Sequence, residues 1–215
     1  VDRSRGLGDV YKRQAIQGEL GAYSHIAAES LYKEAEIKTC ATFEETFKYA
    51  YNDQNFKIVI PIENSLAGRV ADIHYLLPKY KLQIHGEHFQ AVEHNLLCKR
   101  EANIDDIKFV RSHAQAIGQC QNIINKRKFK PIISADTAGS AKDLAEGEDK
   151  SIAAIASELS AKIYNLKILE KNVEDEKGNV TRFLIMGKNI EQPEYEKNKK
   201  YITSCIFRVK SEPSA

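Results

Sequence analysis

The sequence predicts an α/β fold of two βαβ lobes with a cleft between them, and three features lead to this prediction. Short apolar runs rich in Ile and Val alternate with helical patterns, which is the sequence form of βαβ units. One long extended stretch of mixed polarity, residues 82–98, interrupts the alternation, as expected for strands that cross between two lobes. The 215 residues suit one medium domain or two small lobes. A cleft between two such lobes is the usual place for a small ligand.

The elements of the first lobe are predicted from strand patterns and helix caps. Its strands cover residues 15–17, 36–41 and 57–62, and its helices cover residues 24–33, 42–52 and 70–77. Ser24 follows the turn at residues 18–21 and is expected to cap the first helix. Thr42 and Glu45 form the T-x-x-E capping-box pattern at the start of the second. Pro78 is expected to end the third helix, because proline lacks the N–H that a helix interior needs.

The second lobe is predicted at about residues 99–170, where the alternation resumes. Its strands cover residues 108–111, 131–134, 151–154 and 167–171, and its helices cover residues 115–126, 138–146 and 157–164. A final strand follows at residues 181–186. The two lobes together form one domain, which we predict at residues 15–188.

The two ends of the chain differ from this domain. Residues 1–14 carry four Arg and Lys residues, two glycines and little apolar periodicity, and their second half resembles read-through of a sequencing adaptor. We predict that residues 1–14 are a non-native leader, so that the first strand has lost its opening residues; a genuine basic tail is the alternative. Residues 189–200 are typical of a charged linker, and residues 201–215 show the start of a new strand pattern.

Composition argues against several classes of function. The 32 Lys and Arg residues balance 30 Asp and Glu residues and are spread along the chain, so nucleic-acid binding is not expected. No stretch approaches the roughly 18 consecutive apolar residues that a membrane span needs. The four cysteines form no C-x-x-C pair, which favours reduced thiols over zinc or disulfides. His85 and His88 form an H-x-x-H pattern without a third ligand at a recognised spacing, so no metal is expected.

Polar clusters follow the ends of predicted strands at residues 63–65, 112–115, 136–140 and 179–183. Ligands of open α/β sheets bind beyond the carboxyl ends of the strands, where helix N-termini present free N–H groups to anions. The clusters therefore predict a carboxylate ligand. The alternative is that each cluster only forms turns and helix caps.

Taken in chain order, several of these clusters belong to a longer series of motifs. Residues 18–25 are GELGAYSH, residues 61–65 are PIENS, residues 112–115 are SHAQ, residues 119–120 are QC and residues 179–183 are NVTRF. The series resembles the motifs of prephenate dehydratases over residues 15–188, in the right order and spacing. Alanine stands at position 114, where that family usually has proline. Each motif alone is weak, and the specificity lies in the series.

The resemblance implies a fold and an activity. Prephenate dehydratases have two lobes of the type II periplasmic-binding-protein kind, and they convert prephenate to phenylpyruvate, CO2 and water in L-phenylalanine biosynthesis. The chain would then be a cytoplasmic carbon–oxygen lyase and a homodimer. No cofactor is expected, since residues 18–21 are too short for a dinucleotide fingerprint. Residues 201–215 resemble the first strand of the family's phenylalanine-sensing ACT domain, so the effector site is expected to be absent.

The resemblance also implies roles for individual residues. Thr181 is expected to give a proton to the departing hydroxyl group, in a pocket whose hydrogen bonds and positive charge favour the transfer. The other implied roles are a supporting hydroxyl at Ser112, substrate binding by Asn64 and Gln119, and an orienting role for Glu63. Free N–H groups near Ser65, Thr137 and Ala138 are expected to hold carboxylate oxygens.

Two strand residues that follow Thr181 complete the predicted site. Arg182 either faces the cleft as a counter-ion or pairs on the surface. Phe183, next in the strand, is expected to point to the opposite face and to pack in the core. His113 is expected to be a hydrogen-bonded histidine at a strand end, with a proton shuttle as the alternative.

Two other functions stay open at this point. Arogenate dehydratase uses the same chemistry on the amino-acid analogue of prephenate, and no residue decides between the two ring acids. A non-catalytic, two-lobed protein that binds small acids would share the fold but would need no catalytic hydroxyl. The N-x-T-R-F motif together with the Q-C helix favours an enzyme over such a binding protein.

Overall fold

The computed structural model describes residues 13–188, 196–198 and 200, and within them it shows two β-sheets with helices packed against them. The strands are β1 (Arg13–Gln17), β2 (Glu36–Cys40), β3 (Phe56–Asn64), β4 (Gly68–Arg69), β5 (Gln83–Ala91), β6 (Asn95–Cys98), β7 (Phe109–His113), β8 (Lys130–Ser134), β9 (Ile152–Ala156), β10 (Lys167–Glu170) and β11 (Val180–Gly187). The helices are α1 (Tyr23–Leu31), α2 (Phe43–Asn52), α3 (Ala71–Tyr80), α4 (Ala114–Gly118), α5 (Gln121–Arg127), α6 (Thr137–Glu146) and α7 (Glu158–Ile163). The predicted two-lobed α/β fold is confirmed. Nearly all of the predicted leader, part of the linker and the strand at residues 201–215 lie outside the described residues.

Each lobe is built on its own sheet. In the first lobe the order is β2-β1-β3-β11-β5, with β4 paired to β3, and β1 runs parallel to both of its neighbours. In the second lobe the order is β10-β6-β9-β7-β8, and β7 runs parallel to β8 and β9. Strand β11 runs antiparallel between β3 and β5, so its first residues lie beside the last residues of β3. This pairing sets Thr181 opposite Asn64.

Two connections carry the chain between the sheets. Residues 92–94 join β5 of the first sheet to β6 of the second, and residues 171–179 lead from β10 back to β11. The prediction that residues 82–98 cross between lobes is therefore confirmed. Both connections pass the same region, where Val92 N–H donates to Asn179 O at 2.8 Å and Val173 N–H donates to His94 O at 2.8 Å. They form a paired hinge beside the ends of β3 and β11.

The central strand of the first lobe is apolar on both faces because helices cover both. Ile58 and Ile60 lie in one cluster with Phe47 of α2, and all three are fully buried. Val59 points the other way, into a cluster with Ala27 of α1. The run KIVIPI was predicted to be a buried strand from its continuous apolar pattern, and this packing explains the pattern.

The first described strand and two helices of the first lobe differ from the predictions. Strand β1 begins at Arg13, two residues before the predicted start, and buried Gln14 donates from Nε2 to Ala28 O at 3.1 Å. Helix α1 begins at Tyr23 after Ala22, and Ser24 is buried within its first turn instead of capping it. Helix α3 continues through Pro78 to Tyr80. A proline in the last turn interrupts few backbone hydrogen bonds, so the helix tolerates it.

The helix predicted at residues 115–126 is broken into α4 and α5. Cys120, between them, has φ −125° and ψ 32°, outside the helical region. Asp175 of the returning connection causes the break, since its N–H donates to Gln119 O at 2.7 Å and its carboxylate accepts from Gln121 N–H at 2.8 Å. The same carboxylate accepts from Asn122 N–H at 2.9 Å and so caps α5. The break fixes Gln119 at the corner between the two helices.

The described residues define the surroundings of the cysteines and of His85. No helix there is long and apolar enough to cross a membrane. Cys40, Cys98 and Cys120 are buried free thiols, and burial raises their pKa. No three potential ligands come together as a metal site in the same residues. His85 lies instead beside Lys57, with 2.8 Å between Nδ1 and Nζ, and burial lowers the pKa of that lysine to about 8.

The loop after β1 fastens the first lobe to the second. Gly21 O accepts hydrogen bonds from the hydroxyls of Ser157 at 2.6 Å and Ser160 at 3.0 Å, at the start of α7. Gly21 has φ +89°, and a Cβ there would lie 2.8 Å from Ser160 Cα. Only glycine fits this contact, because both the backbone angle and the space exclude a side chain.

We expect Gly21→Ala to lower the free energy of unfolding by about 3 kcal/mol, from left-handed strain and overpacking together. The measurement is chemical denaturation followed by circular dichroism. Gly178→Ala is the matched control, because Gly178 has φ +84° but a Cβ at that position would have no atom within 4 Å. In that control only the left-handed strain should lower the free energy of unfolding, by about 1 kcal/mol. Equal losses in the two variants would contradict the tight contact between the lobes.

Candidate active site

A cavity of about 480 Å³ lies between the two lobes at the ends of β3, β7 and β11. Its polar lining comes from both lobes and from the paired hinge, and includes Asn64, Arg69, His94, Gln119, Asn179 and Thr181. Three residues assigned from the sequence, Asn64, Gln119 and Thr181, are thus brought together. The volume suits a small organic acid.

Asn64, the last residue of β3, sets the direction of the hydrogen bonds in this cavity. Its Oδ1 accepts from Leu66 N–H at 3.0 Å and from Ala67 N–H at 2.9 Å. Backbone N–H groups can only donate, so the orientation of the amide is fixed. The Nδ2 group therefore donates to Thr181 Oγ1 at 2.9 Å and to Asn179 Oδ1 at 2.6 Å.

Thr181 has a hydroxyl group whose proton is available to a ligand. The hydroxyl oxygen accepts from Asn64, and no other hydrogen bond to it is found within the described residues. The residue is 9% exposed and lines the cavity. An accepted hydrogen bond favours the charged form of an acid, so Asn64 stabilises the oxygen as it loses its proton. Such a pair is able to give a proton to a ligand, because the amide stabilises the oxygen that remains.

A second chain of hydrogen bonds continues from Asn179 into the second lobe. Because Asn179 Oδ1 accepts from Asn64, its Nδ2 is the donor to Gln119 Oε1 at 3.0 Å. The same Gln119 oxygen lies 3.0 Å from His94 Nε2. His94 Nδ1 in turn lies 3.0 Å from the hydroxyl of Tyr23. One connected network thus joins the threonine to an imidazole and a phenol.

Burial shifts the pKa values of His94 and Tyr23, the two titratable side chains of this network. Burial lowers the pKa of His94, and the hydrogen bond that His94 donates to Gln119 and the charge of Glu174 oppose that effect. Burial also raises the pKa of Tyr23 well above its usual value, with smaller contributions from neighbouring acidic groups. Both side chains are therefore neutral near pH 7.

Charged and dipolar groups also line the cavity. Arg69 is exposed on β4 and is the only Lys or Arg among the described residues that line the cavity. At the start of α6, Asp136 Oδ1 accepts from Gly139 N–H at 2.6 Å and caps the helix. The first-turn N–H groups of Thr137 and Ala138 have no acceptor within their own helix. Thr137 lines the cavity, whereas Ala138 is fully buried.

Comparison with known proteins identifies the family. The family model described as prephenate dehydratase matches residues 14–191. The chain belongs to the prephenate dehydratase family. It is 39% identical over 201 residues to arogenate dehydratase/prephenate dehydratase 2 of Arabidopsis thaliana, with 94% of this chain and 52% of that protein covered. It is 37% identical over 204 residues to a bifunctional N-acyl-homoserine lactone acylase/prephenate dehydratase of Komagataeibacter europaeus, with 94% and 71% covered.

Two solved structures share the fold of this prephenate dehydratase family member. The quorum-quenching acylase GqqA matches with a TM-score of 0.78 and 38% identity over 84% of this chain and 65% of that one. Prephenate dehydratase from Staphylococcus aureus matches with a TM-score of 0.70 and 28% identity over 83% of this chain and 67% of that one. The chain spans about half the length of the Arabidopsis relative. The likeness to that protein therefore concerns the prephenate dehydratase domain of this chain.

Three residues assigned from the family motifs lie outside the cavity lining. Ser112 is fully buried, and its hydroxyl donates to Ile155 O at 2.6 Å, so it supports the second sheet and not the substrate. Ser65 Oγ accepts from Val180 N–H at 3.0 Å, which joins the end of β3 to the start of β11. Glu63 is exposed and pairs in register with Arg69 across β4. The Ser112 hydroxyl, which was expected to support catalysis, is therefore directed into the second sheet and not into the cavity.

The two alternatives for Arg182 are separated by the structure. Its Nε donates to Glu87 Oε2 at 2.8 Å, on the neighbouring strand β5, and the side chain is not part of the cavity lining. It is the surface pair and not the counter-ion. Phe183 is 1% exposed in the core beside α1, as predicted. His113 Nδ1 accepts from Gln115 N–H at 3.3 Å, which matches the expected strand-end histidine.

Tyr23, Arg69, His94 and Asn179 are among the cavity residues that were not assigned from the sequence. Tyr23 and Asn179 lie within quoted motifs, so the motif series contained a signal for both. Arg69 follows the PIENS motif by four residues, and its role depends on the β4 hairpin. His94 lies in the long extended stretch, where nothing in the local pattern marks it.

Proposed function

We propose that the protein converts prephenate to phenylpyruvate, CO2 and water, as a carbon–oxygen lyase. One observation carries the proposal: Thr181 accepts a hydrogen bond from Asn64 and keeps its own proton for a group in the cavity. A binding protein would need no such donor. Membership of the prephenate dehydratase family supports the same activity.

In the proposed reaction the electrons of the bond to the ring carboxylate become part of the aromatic ring. The carboxylate leaves as CO2, and the bond to the ring hydroxyl breaks at the opposite carbon. The departing oxygen takes the proton of Thr181 and leaves as water, and solvent returns a proton to Thr181 afterwards. Asn64 Nδ2 stabilises the threonine oxygen during the transfer. The protein contributes mainly position and electrostatics, because aromatisation supplies the driving force.

Arg69 is proposed to anchor a carboxylate of the substrate. It lines the cavity, and its guanidinium makes no hydrogen bond or ion pair with another described residue, so that group is available for a bidentate contact. The contact forms in the ground state as well as in the transition state. It therefore acts mainly on binding.

We expect Arg69→Gln to raise KM for prephenate by roughly tenfold to a hundredfold, while kcat changes by less than about threefold. Steady-state kinetics give both values. Arg182→Gln is the matched control, because that arginine is paired with Glu87 outside the cavity and its loss should leave KM unchanged. Similar changes of KM in both variants would show a long-range charge effect and not an anchor.

Arogenate is a second candidate substrate. Asp136 lines the cavity and has a carboxylate that could pair with the amino group that distinguishes arogenate from prephenate. Two curated relatives at 39% and 38% identity, from Arabidopsis thaliana and Petunia hybrida, have arogenate dehydratase in their names. The chain covers about half of each.

The deciding experiment follows product formation from both ring acids with the purified protein. Phenylpyruvate is detected by its absorbance in alkali, and phenylalanine from arogenate is detected by chromatography. We expect a higher kcat/KM for prephenate. An N-acyl-homoserine lactone is included as a third substrate, because that activity is part of the name of the Komagataeibacter relative. Hydrolysis of the lactone without turnover of either ring acid would contradict the proposed function.

Two broader properties of the family are proposed for this chain as well. A homodimer and a cytoplasmic location are expected for an enzyme of amino-acid biosynthesis. Light scattering on the purified protein gives the oligomeric state directly. A monomer at micromolar concentration that retains full activity would contradict the dimer.

A further inference from the structure

The hydrogen-bond network fixes which nitrogen of His94 carries a proton. Leu66 and Ala67 orient Asn64, which orients Asn179, and Asn179 in turn donates to Gln119 Oε1. Gln119 therefore presents an acceptor to His94 Nε2 at 3.0 Å. Only the tautomer with a proton on Nε2 satisfies this contact.

In that neutral tautomer the other nitrogen of His94, Nδ1, has no hydrogen-bond donor. Tyr23 has one hydroxyl proton, and its hydroxyl lies 2.7 Å from Glu93 O and 3.0 Å from His94 Nδ1. The carbonyl can only accept, so it takes the tyrosine proton when the shorter bond forms. His94 Nδ1 then faces an oxygen lone pair. A proton on Nδ1 completes every hydrogen bond of the network.

We propose that His94 takes up a proton on Nδ1 when the anionic substrate binds, and that the resulting imidazolium holds Gln119 in place and adds a positive charge to the cavity. The proposal deepens the proposed function and rests on it, since it concerns the same site. His94 acts as a positioning residue. It is 3% exposed and contributes to the cavity lining, and it reaches the network through Gln119.

The surroundings of His94 are consistent with a proton that arrives only with the ligand. The groups that face it are the phenol of Tyr23 from α1 and the carboxylate of Glu174 from the hinge, and Tyr23 is in turn influenced by the charges of Glu93 and Cys120. The other charged or titratable side chains of the cavity lining are Arg69, His113 and Asp136. Burial keeps the imidazole neutral near pH 7, and the carboxylate of the pyruvyl group, which prephenate and phenylpyruvate both carry, reverses that balance when the ligand binds.

The first test is NMR of protein whose histidines carry isotopic nitrogen, without and with saturating phenylpyruvate near pH 7. His94→Gln assigns the signal and keeps a side-chain N–H donor for Gln119. We expect the Nε2–H tautomer in the free protein and a doubly protonated ring with ligand. A ring that stays neutral with ligand, or a free protein with its proton on Nδ1, would overturn the proposal. His113→Gln is the matched control and should leave the His94 signal unchanged.

The second test is the pH dependence of KM. Binding linked to the uptake of one proton makes KM rise with pH, by up to about tenfold per pH unit between the pKa values of the free and bound imidazole. His94→Gln should show a KM that is about tenfold higher and independent of pH over this range. Tyr23→Phe keeps the imidazole but removes the acceptor for Nδ1–H, and should move the rise in KM to lower pH. A wild-type KM without this rise would contradict the inference.

The two levels of the hypothesis fail in different ways. If the protein converts prephenate while His94 stays neutral, this inference is wrong and the proposed function stands. If the folded protein neither converts prephenate nor binds phenylpyruvate, both are wrong.

Discussion

Replacement of Thr181 by alanine is expected to lower kcat for prephenate by about a thousandfold, within the range typical of a lost general acid. The reason is local, because among the described residues of the network the Thr181 hydroxyl is the only O–H group whose proton has no acceptor. Binding should change little, since the hydroxyl acts mainly in the transition state. Phenylpyruvate formation gives kcat, and calorimetry with phenylpyruvate gives the affinity.

Two further variants separate the role of this hydroxyl from general effects of hydroxyl loss. Thr181→Ser keeps the donor and should retain kcat within about tenfold, with some loss of position. Ser112→Ala removes a buried hydroxyl outside the cavity and should keep kcat within a few-fold. It should lower the free energy of unfolding by about 1–2 kcal/mol, because Ile155 O loses its hydrogen bond. Unchanged kcat in Thr181→Ala would end the assignment of Thr181 as the proton donor.

The sequence was sufficient to locate residues that meet at strand ends. Asn64 and Thr181 are 117 positions apart, yet each stands at the end of a strand that runs to the cleft. The alternation of strands and helices predicts such ends, and the antiparallel pairing of β3 with β11 brings the last residue of β3 beside the start of β11. Gln119 was assigned only through the family motif, because its place depends on the corner between α4 and α5.

The hydrogen-bond partners that are distant in the sequence could not be predicted from the pattern. Ser112 stands one residue before the end of β7, and strand alternation turns its hydroxyl to the buried face of the sheet. The partner of Arg182, Glu87, lies 95 positions away on β5. Asp175 breaks a predicted helix from 53 positions away. Each of these outcomes is a tertiary contact, and single-sequence periodicity contains no information on such contacts.

The direction of the hydrogen bonds around Asn64 leads to a specific prediction for Asn64→Asp. The carboxylate has nearly the same shape as the amide and can still accept from Leu66 and Ala67 N–H, so the turn after β3 should form. Its second oxygen, however, replaces the Nδ2 donor and can only accept. Thr181 would then donate its proton to the new carboxylate and not to the substrate, and the added negative charge would repel the substrate carboxylates. We expect kcat/KM to fall by at least about a thousandfold, because proton transfer and binding are both impaired.

Asn165→Asp is the matched control for this charge change. Asn165 Oδ1 accepts from Arg100 Nε at 2.7 Å on the surface of the second lobe, so the same substitution there should leave kcat/KM within about twofold and strengthen a surface pair only slightly. Thermal unfolding should show that both variants are folded. If Asn64→Asp retained wild-type kcat, the direction of the hydrogen bonds would not matter for catalysis. The orientation assigned to Asn64 between Leu66 and Thr181 would then be wrong, and with it the reason for placing a proton on His94 Nε2.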